Sequence, residues 1–160
     1  MQIFSRRITV GALLAISASV CLQASAAPTQ KVKIYLIAVG DNGKMGCKIG
    51  CDDSLVPVTE KIAATSAPLT AAINKLLNTP KTYAPNPKLS NYWLGPDLKL
   101  KSVSVKNGLA TIRFSGNVAV AGVCDEPRIK EQIEAIARQF PTVKRVKVFV
   151  GNQTLADAIS

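Results

Sequence analysis

The stretch Leu98–Ser115, LKLKSVSVKNGLATIRFS, decides how this chain is read. Two aliphatic, β-branched runs flank Asn107-Gly108, a pair that supplies the positive φ angles of a tight turn between antiparallel strands. In the second arm Ala110, Ile112 and Phe114 face one way and Thr111 and Arg113 the other, so one side is apolar and the other polar. In the first arm the apolar phase shifts between Leu100 and Val103, which predicts a bulge near Lys101-Ser102. The polar side of this hairpin carries Lys99, Lys101 and Arg113.

Toward the N-terminus, Lys31–Val39 alternates Val32, Ile34 and Leu36 against Lys33, Tyr35 and Ile37 and reads as a strand with a buried face. Asp41–Asp53 holds three Gly, two Lys and two Cys without an apolar period, and reads as a loop. Leu55–Ile62 is a second strand. Pro57 in it has no amide donor, which places it at a sheet edge. Leu69, Ala72, Ile73, Leu76 and Leu77 form one helical stripe, with Ser66 as the expected cap, Pro68 in the first turn and Pro80 as the stop. Thr79–Asp97 then carries four prolines (Pro80, Pro85, Pro87, Pro96) together with Tyr83, Tyr92 and Trp93. A structureless loop of that length in a compact domain is often functional.

Beyond the hairpin, Asn117–Val123 reads as an apolar loop crossing the core. A second helix is expected over Glu126–Gln139, with Asp125 as cap and Pro127 in its first turn. Ile129, Ile133, Ile136, Ala137 and Phe140 form its buried face, while Glu126, Lys130, Glu134 and Arg138 follow at four-residue spacing as a solvated charge ladder. Val143–Val150 is a last strand with Val146, Val148 and Val150 inward, followed by a short apolar tail, Leu155–Ile159. The order β, β, α, β-hairpin, α, β predicts an α+β two-layer domain, with one mixed or antiparallel sheet and two helices packed on one face.

The chain has 160 residues and is 48% hydrophobic, enough for one domain with its own core. It has no histidine, which excludes Ser-His-Asp and Cys-His catalysis and His-ligated zinc. Residues 1–26 have the layout of a secretory signal peptide: basic Arg6-Arg7, an apolar run from Ile8 to about Val20, and small residues at Ala24-Ser25-Ala26. Cleavage after Ala26 leaves residues 27–160 as a single domain and takes the net charge from +10 to +8. A retained anchor would need a longer apolar run. Val20 sits where a lipobox wants a small residue, so Cys21 is a poor lipid attachment site, and membrane contact follows only if Cys21 is lipidated. The expected location is periplasmic or extracellular. Cys47, Cys51 and Cys124 then lie in an oxidising compartment, an odd number that allows at most one internal bridge.

Several segments together resemble the GerMN domain, named from sporulation and spore germination proteins and widespread in exported bacterial proteins. They are Gly50-Cys51-Asp52-Asp53-Ser54-Leu55-Val56-Pro57-Val58, the helix end Lys75-Leu76-Leu77, the Leu98–Ser115 hairpin, Gly122-Val123-Cys124-Asp125-Glu126-Pro127-Arg128-Ile129, and Gln139-Phe140-Pro141-Thr142-Val143. Their order and spacing carry the resemblance, which spans roughly Val32 to Leu155. It implies a small exported α/β domain used in envelope or wall-associated assemblies, without established catalysis, similar also to ring-building domains of secretion and sporulation complexes. Cys51 and Cys124 both lie in family-like motifs and both sit at element ends, where a loop can bring two Cα atoms within bridging reach. A Cys51–Cys124 disulfide is therefore expected, with Cys47 free or paired between chains. A Cys47–Cys51 bridge is the alternative and closes only a tiny ring.

Other candidate chemistry is thin. Asp41, Asp52 and Asp53 lack the spacing of a calcium loop and have Lys44 and Lys48 among them, so they read as a structural turn. Three cysteines without histidine favour a disulfide over a metal. Glu126, Glu131 and Glu134 sit on the wet side of a helix with basic neighbours, unlike the paired acids of a glycosidase. No catalytic residue, metal or cofactor is assigned. If the last strand pairs beside the hairpin, Lys99, Lys101 and Arg113 join Arg145 and Lys147 in one basic patch, and Trp93, with Tyr83 and Tyr92, is the candidate for stacking. The expected partner is an envelope protein or an anionic wall polymer rather than nucleic acid, which an exported protein rarely meets. The chain reads as a non-enzymatic interaction domain, with an accessory enzyme or inhibitor-like protein acting on wall polymer as the alternative. The export reading predicts a mature N-terminus at Ala27, checked by the intact mass of the exported protein. A diacylglyceryl group on Cys21 in that mass would overturn it.

Overall fold

In the computed structural model, which describes residues 27–160, the hairpin forms as its sequence dictates. Asn107 and Gly108 both take positive φ (49° and 75°). The register between its arms shifts between Leu100 and Ser102, leaving Lys101 as the extra residue. Residues 1–26, where a signal peptide is expected, and Cys21 among them lie outside the described residues.

The strands are β1 (Thr29–Ala38), β2 (Cys47–Lys48), β3 (Ser54–Ala63), β4 (Leu89–Ser90), β5 (Lys99–Lys106), β6 (Leu109–Ser115), β7 (Arg145–Val150) and β8 (Gln153–Thr154). The helices are α1 (Pro68–Leu77), α2 (Asp125–Arg138) and α3 (Leu155–Ile159). The class is α+β, and the strands divide into two four-stranded sheets, β2-β3-β1-β4 and β5-β6-β7-β8, where one was expected. The first sheet is antiparallel, with β1 paired to β3 along its whole length. In the second, β7 runs parallel to β6, so α2 is the crossover between them. Both long helices bridge the sheets: each packs on β1, while α1 also meets β5 and α2 also meets β7.

The split into two sheets has a polar cause. Beyond its two-residue pairing with β4, β1 presents an open edge, and unpaired strand backbone must find partners. The α2 helix supplies them with two glutamines spaced two turns apart. Gln132 Nε2 donates to the Tyr35 carbonyl at 2.7 Å. At the end of α2, Gln139 accepts from the Lys33 N–H and donates to the Lys33 carbonyl, both at 2.8 Å. Side-chain amides thus take the place of a ladder strand, and the hairpin builds its own sheet.

Gln132 is fully buried. Its Oε1 accepts from the Tyr92 N–H at 2.9 Å. Asn91, also fully buried, donates to the Leu76 and Thr79 carbonyls at 3.0 and 2.7 Å and accepts from the Trp93 N–H at 2.9 Å. These bonds draw Asn91–Trp93 through the interior, so this part of the proline-rich connection is core, while Pro80, Pro85, Pro87 and Pro96 are exposed. Trp93 is 0% exposed, its indole donates to the Ile129 carbonyl at 2.8 Å, and its ring lies 4.5 Å from that of Phe114. The stacking role expected of Trp93 is withdrawn on this ground, because no face of its ring reaches solvent.

Smaller differences concern helix ends. Ala67, not Ser66, precedes α1, and no side chain caps it. Asp125 is the first residue of α2 rather than its cap. Its carboxylate instead takes the Ala121 N–H at 2.9 Å and Arg128 at 3.1 Å. The apolar tail closes as α3, with Leu155 and Ile159 buried and Thr154 accepting from the Asp157 N–H. Pro57 lies on the β3 flank that β2 leaves uncovered beyond Leu55.

A second junction ties the loop before β3 to the start of α2. Cys51 and Cys124 are joined, with Cα atoms 5.8 Å apart and 73 residues between them. Two residues on, fully buried Asp53 accepts from Arg128 and from the Gly40 N–H. Burial opposes the Arg128 charge, but its bond to Asp53, the charge interactions with Tyr92 and Asp53 and the bond to Asp125 together more than offset this and raise the guanidinium above its ordinary value. Lys81 and Arg128 both lie over the Tyr92 ring, 3.1 and 4.8 Å from its centroid.

Two measurements check this architecture. Gln132→Leu orphans the Tyr92 N–H and the Tyr35 carbonyl, and should destabilise by about 1–3 kcal/mol for each in denaturant unfolding. Reducing Cys51–Cys124 should cost on the order of 4 kcal/mol by the chain-entropy argument for a loop of this length. Peptide mapping that found a Cys47–Cys51 link would contradict the pairing.

Candidate functional site

The outward side of the second sheet is built from residues of one parity on three strands. Along β7, Val148 and Val150 are buried, so Arg145, Lys147 and Phe149 face out. Register places these beside β6: Leu109 next to Arg145, Thr111 next to Lys147, Arg113 next to Phe149. On the other flank, Lys106 pairs with Leu109, Ser104 with Thr111, Ser102 with Arg113, and Lys99 with Ser115. The parallel pairing of β7 to β6 therefore brings together Lys99, Arg113, Arg145 and Lys147, with Lys101 at the bulge, as the sequence reading required.

Two residues of this face were not anticipated as part of it. Phe149 stands beside Arg113 on the β7 side of the face, with the Arg113 guanidinium 4.2 Å and the Lys147 ammonium 5.2 Å from its ring centroid. Lys106 extends the positive row at the hairpin end. The parity of the last strand already held the signal: with Val146, Val148 and Val150 inward, Phe149 shares the side of Arg145 and Lys147. The aromatic residues named from the long loop lie elsewhere. Tyr92 is buried, and the Tyr83 hydroxyl donates to Glu60 at 2.9 Å.

The electrostatic character of the face follows from composition. β5, β6 and β7 carry Lys99, Lys101, Lys106, Arg113, Arg145 and Lys147 and not one Asp or Glu. Among the described residues, the ion pairs fall on Lys48, Lys75, Arg128 and Arg138 instead. All six cations of the sheet are exposed. Such an array attracts anions over a distance set by salt and offers no base or nucleophile.

Of the other candidates, the aspartates and Glu134 are engaged in structure. Asp41 accepts from the Met45 N–H at 2.6 Å and from the Ser54 hydroxyl, and the latter bond holds its carboxyl below the ordinary range. Asp53 is spent on Arg128, and Asp52 pairs with Lys48 at 2.8 Å. Glu134 pairs with Arg138 at 2.7 Å along α2, and Glu126 lies exposed at its start. Among the described residues no three of His, Cys, Asp and Glu are grouped to hold a metal ion. No helix among them is long and apolar enough to cross a membrane. Cys47 is a free, exposed thiol.

Two solved structures share the fold. The tandem GerMN domains of the sporulation protein GerM from Bacillus subtilis align with a TM-score of 0.56 at 22% identity, over 85% of this chain and 43% of that one. The chain thus spans less than half of that tandem structure. The first GerMN domain of the same protein aligns with a TM-score of 0.56 at 17% identity, over 78% of this chain and 85% of that one. No curated protein matches the chain by sequence. The family described as "Germane: Sporulation and spore germination" matches residues 33–156, which take in both sheets, the long helices and the disulfide. With that match over most of its length, the chain belongs to the Germane, or GerMN, family.

Proposed function

We propose that this protein is a non-enzymatic interaction domain of the bacterial cell envelope, and that the outward face of its second sheet receives an anionic wall polymer. The observation that carries the reading is the union of six cations and Phe149 on three adjacent strands without a carboxylate. Cationic side chains spread across a sheet suit a flexible polyanion, whose charges repeat along its length and need no single deep pocket. Phe149, with Arg113 and Lys147 held over its ring, adds a cation–π cluster that gathers two of these charges on the face. Family membership supports the non-catalytic reading, as does the engagement of Asp41, Asp52, Asp53 and Glu134 in structural contacts. Export, expected from residues 1–26, is what would bring the face to such a polymer.

Replacing Lys99, Lys101 and Arg113 together with Gln should weaken co-sedimentation with isolated cell-wall fractions and flatten its salt dependence. Stability should change by less than about 1 kcal/mol, because exposed charges contribute little to folding. Wall binding that is equally strong and equally salt-sensitive in the triple variant would refute the basic face.

A further inference from the structure

The two sheets treat their long open edges differently. On β3 the exposed flank carries Pro57, which has no N–H to offer a new strand. On β5 the exposed flank carries no proline. β5 pairs only with β6, and its one irregularity lies at Lys101, so Ser102–Lys106 keeps a straight register. Ser102, Ser104, Val105 and Lys106 are exposed, and no strand among the described residues pairs on this edge. It offers unpaired N–H and C=O groups over about 17 Å of strand.

Beside this edge the surface is apolar. A groove of about 310 Å³ opens between the inner side of β5 and the start of α1, floored by Leu69, Val103, Val105, Phe140 and Val143. Val105 is 40% exposed although it shares the inward parity of Leu100 and Val103. An inward-pointing valine left this open lacks the cover that the rest of the inner face has.

Charge selects the occupant. A second copy of β5 laid against this edge would set Lys99, Lys101 and Lys106 against the same lysines, which disfavours self-pairing. A strand bearing carboxylates would meet those lysines with opposite charge, while its alternate side chains point down to the groove. We propose that the free edge of β5 docks an extended segment of a partner protein in which aliphatic and acidic side chains alternate. The added strand extends the second sheet, its aliphatic residues fill the groove over Val103 and Val105, and its acids lie beside Lys99 and Lys106. This site is distinct from the polymer-binding face, although the two share the β5 lysines.

The probe is a short peptide alternating Val and Glu, capped at both ends. The control has the same composition with its Val and Glu residues in separate blocks. The alternating peptide should bind and slow amide hydrogen exchange at Ser102–Lys106, and the blocked peptide should do neither. Val105→Asn replaces an aliphatic side chain of the groove by an uncharged polar one without touching the outward face. It should weaken the alternating peptide by about tenfold or more, the equivalent of an unburied aliphatic side chain, and leave wall-polymer binding as it was. Lys99→Gln with Lys106→Gln should weaken the peptide and reduce its salt dependence. Equal binding of the two peptides, unaltered exchange on β5, or full affinity in Val105→Asn would each overturn the site. Because Val105→Asn leaves both the outward face and the net charge unchanged, its result bears on the edge alone.

Discussion

Strand β1 cannot leave its second edge bare, and the fold is arranged around how that edge is satisfied. Gln132 and Gln139 reach from α2 to the backbone of Tyr35 and Lys33. This fixes the line of α2 along β1 and so the position of β7, which follows α2 in the chain. The other end of Gln132 holds Tyr92. One buried amide therefore connects a strand, a helix and the long connection. A buried polar group that is fully bonded specifies geometry in a way that aliphatic packing does not, since an unsatisfied partner costs more than a lost contact.

The disulfide and the Asp53–Arg128 pair act on the same seam from the other side. Both join the loop ahead of β3 to the first turn of α2, and the ion pair lies two residues from one cysteine and four from the other. The covalent link restricts the unfolded chain, while the buried pair penalises any native shift that would separate its charges. Together with the glutamines they hold α2 at its start, middle and end. That leaves the second sheet free on its outward face and along β5.

Those two free surfaces differ in kind. The outward face is a field of cations with one aromatic ring among them, suited to many weak contacts with a repeating anion. The β5 edge is a directional array of backbone donors and acceptors beside an apolar groove. On the readings proposed above, the face would engage a polymer and the edge a protein strand, through different physical terms. The lysines of β5 serve both, repelling a like edge while favouring acidic company.

Local rules made much of the molecule readable from its residues. The Asn107-Gly108 hairpin, the bulge at Lys101, the apolar stripes of both long helices and the edge position of Pro57 follow from φ preference, periodicity and a missing donor, none of which needs distant contacts. The parity of β7 likewise assigned Arg145 and Lys147 to one side, and the same parity held Phe149, which attention to the aromatics of the long loop passed over. What tertiary structure alone decided is long-range. Gln132 sits in the apolar stripe of α2 between Ile129 and Ile133, a visible anomaly, yet its partners Tyr35 and Tyr92 are 97 and 40 residues away. The division into two sheets, the burial of Trp93 and the pairing of β7 beside β6 all depend on which backbone groups meet across such distances. Hydrogen bonding between remote segments leaves no period in the chain, and for that reason only the folded structure settles it.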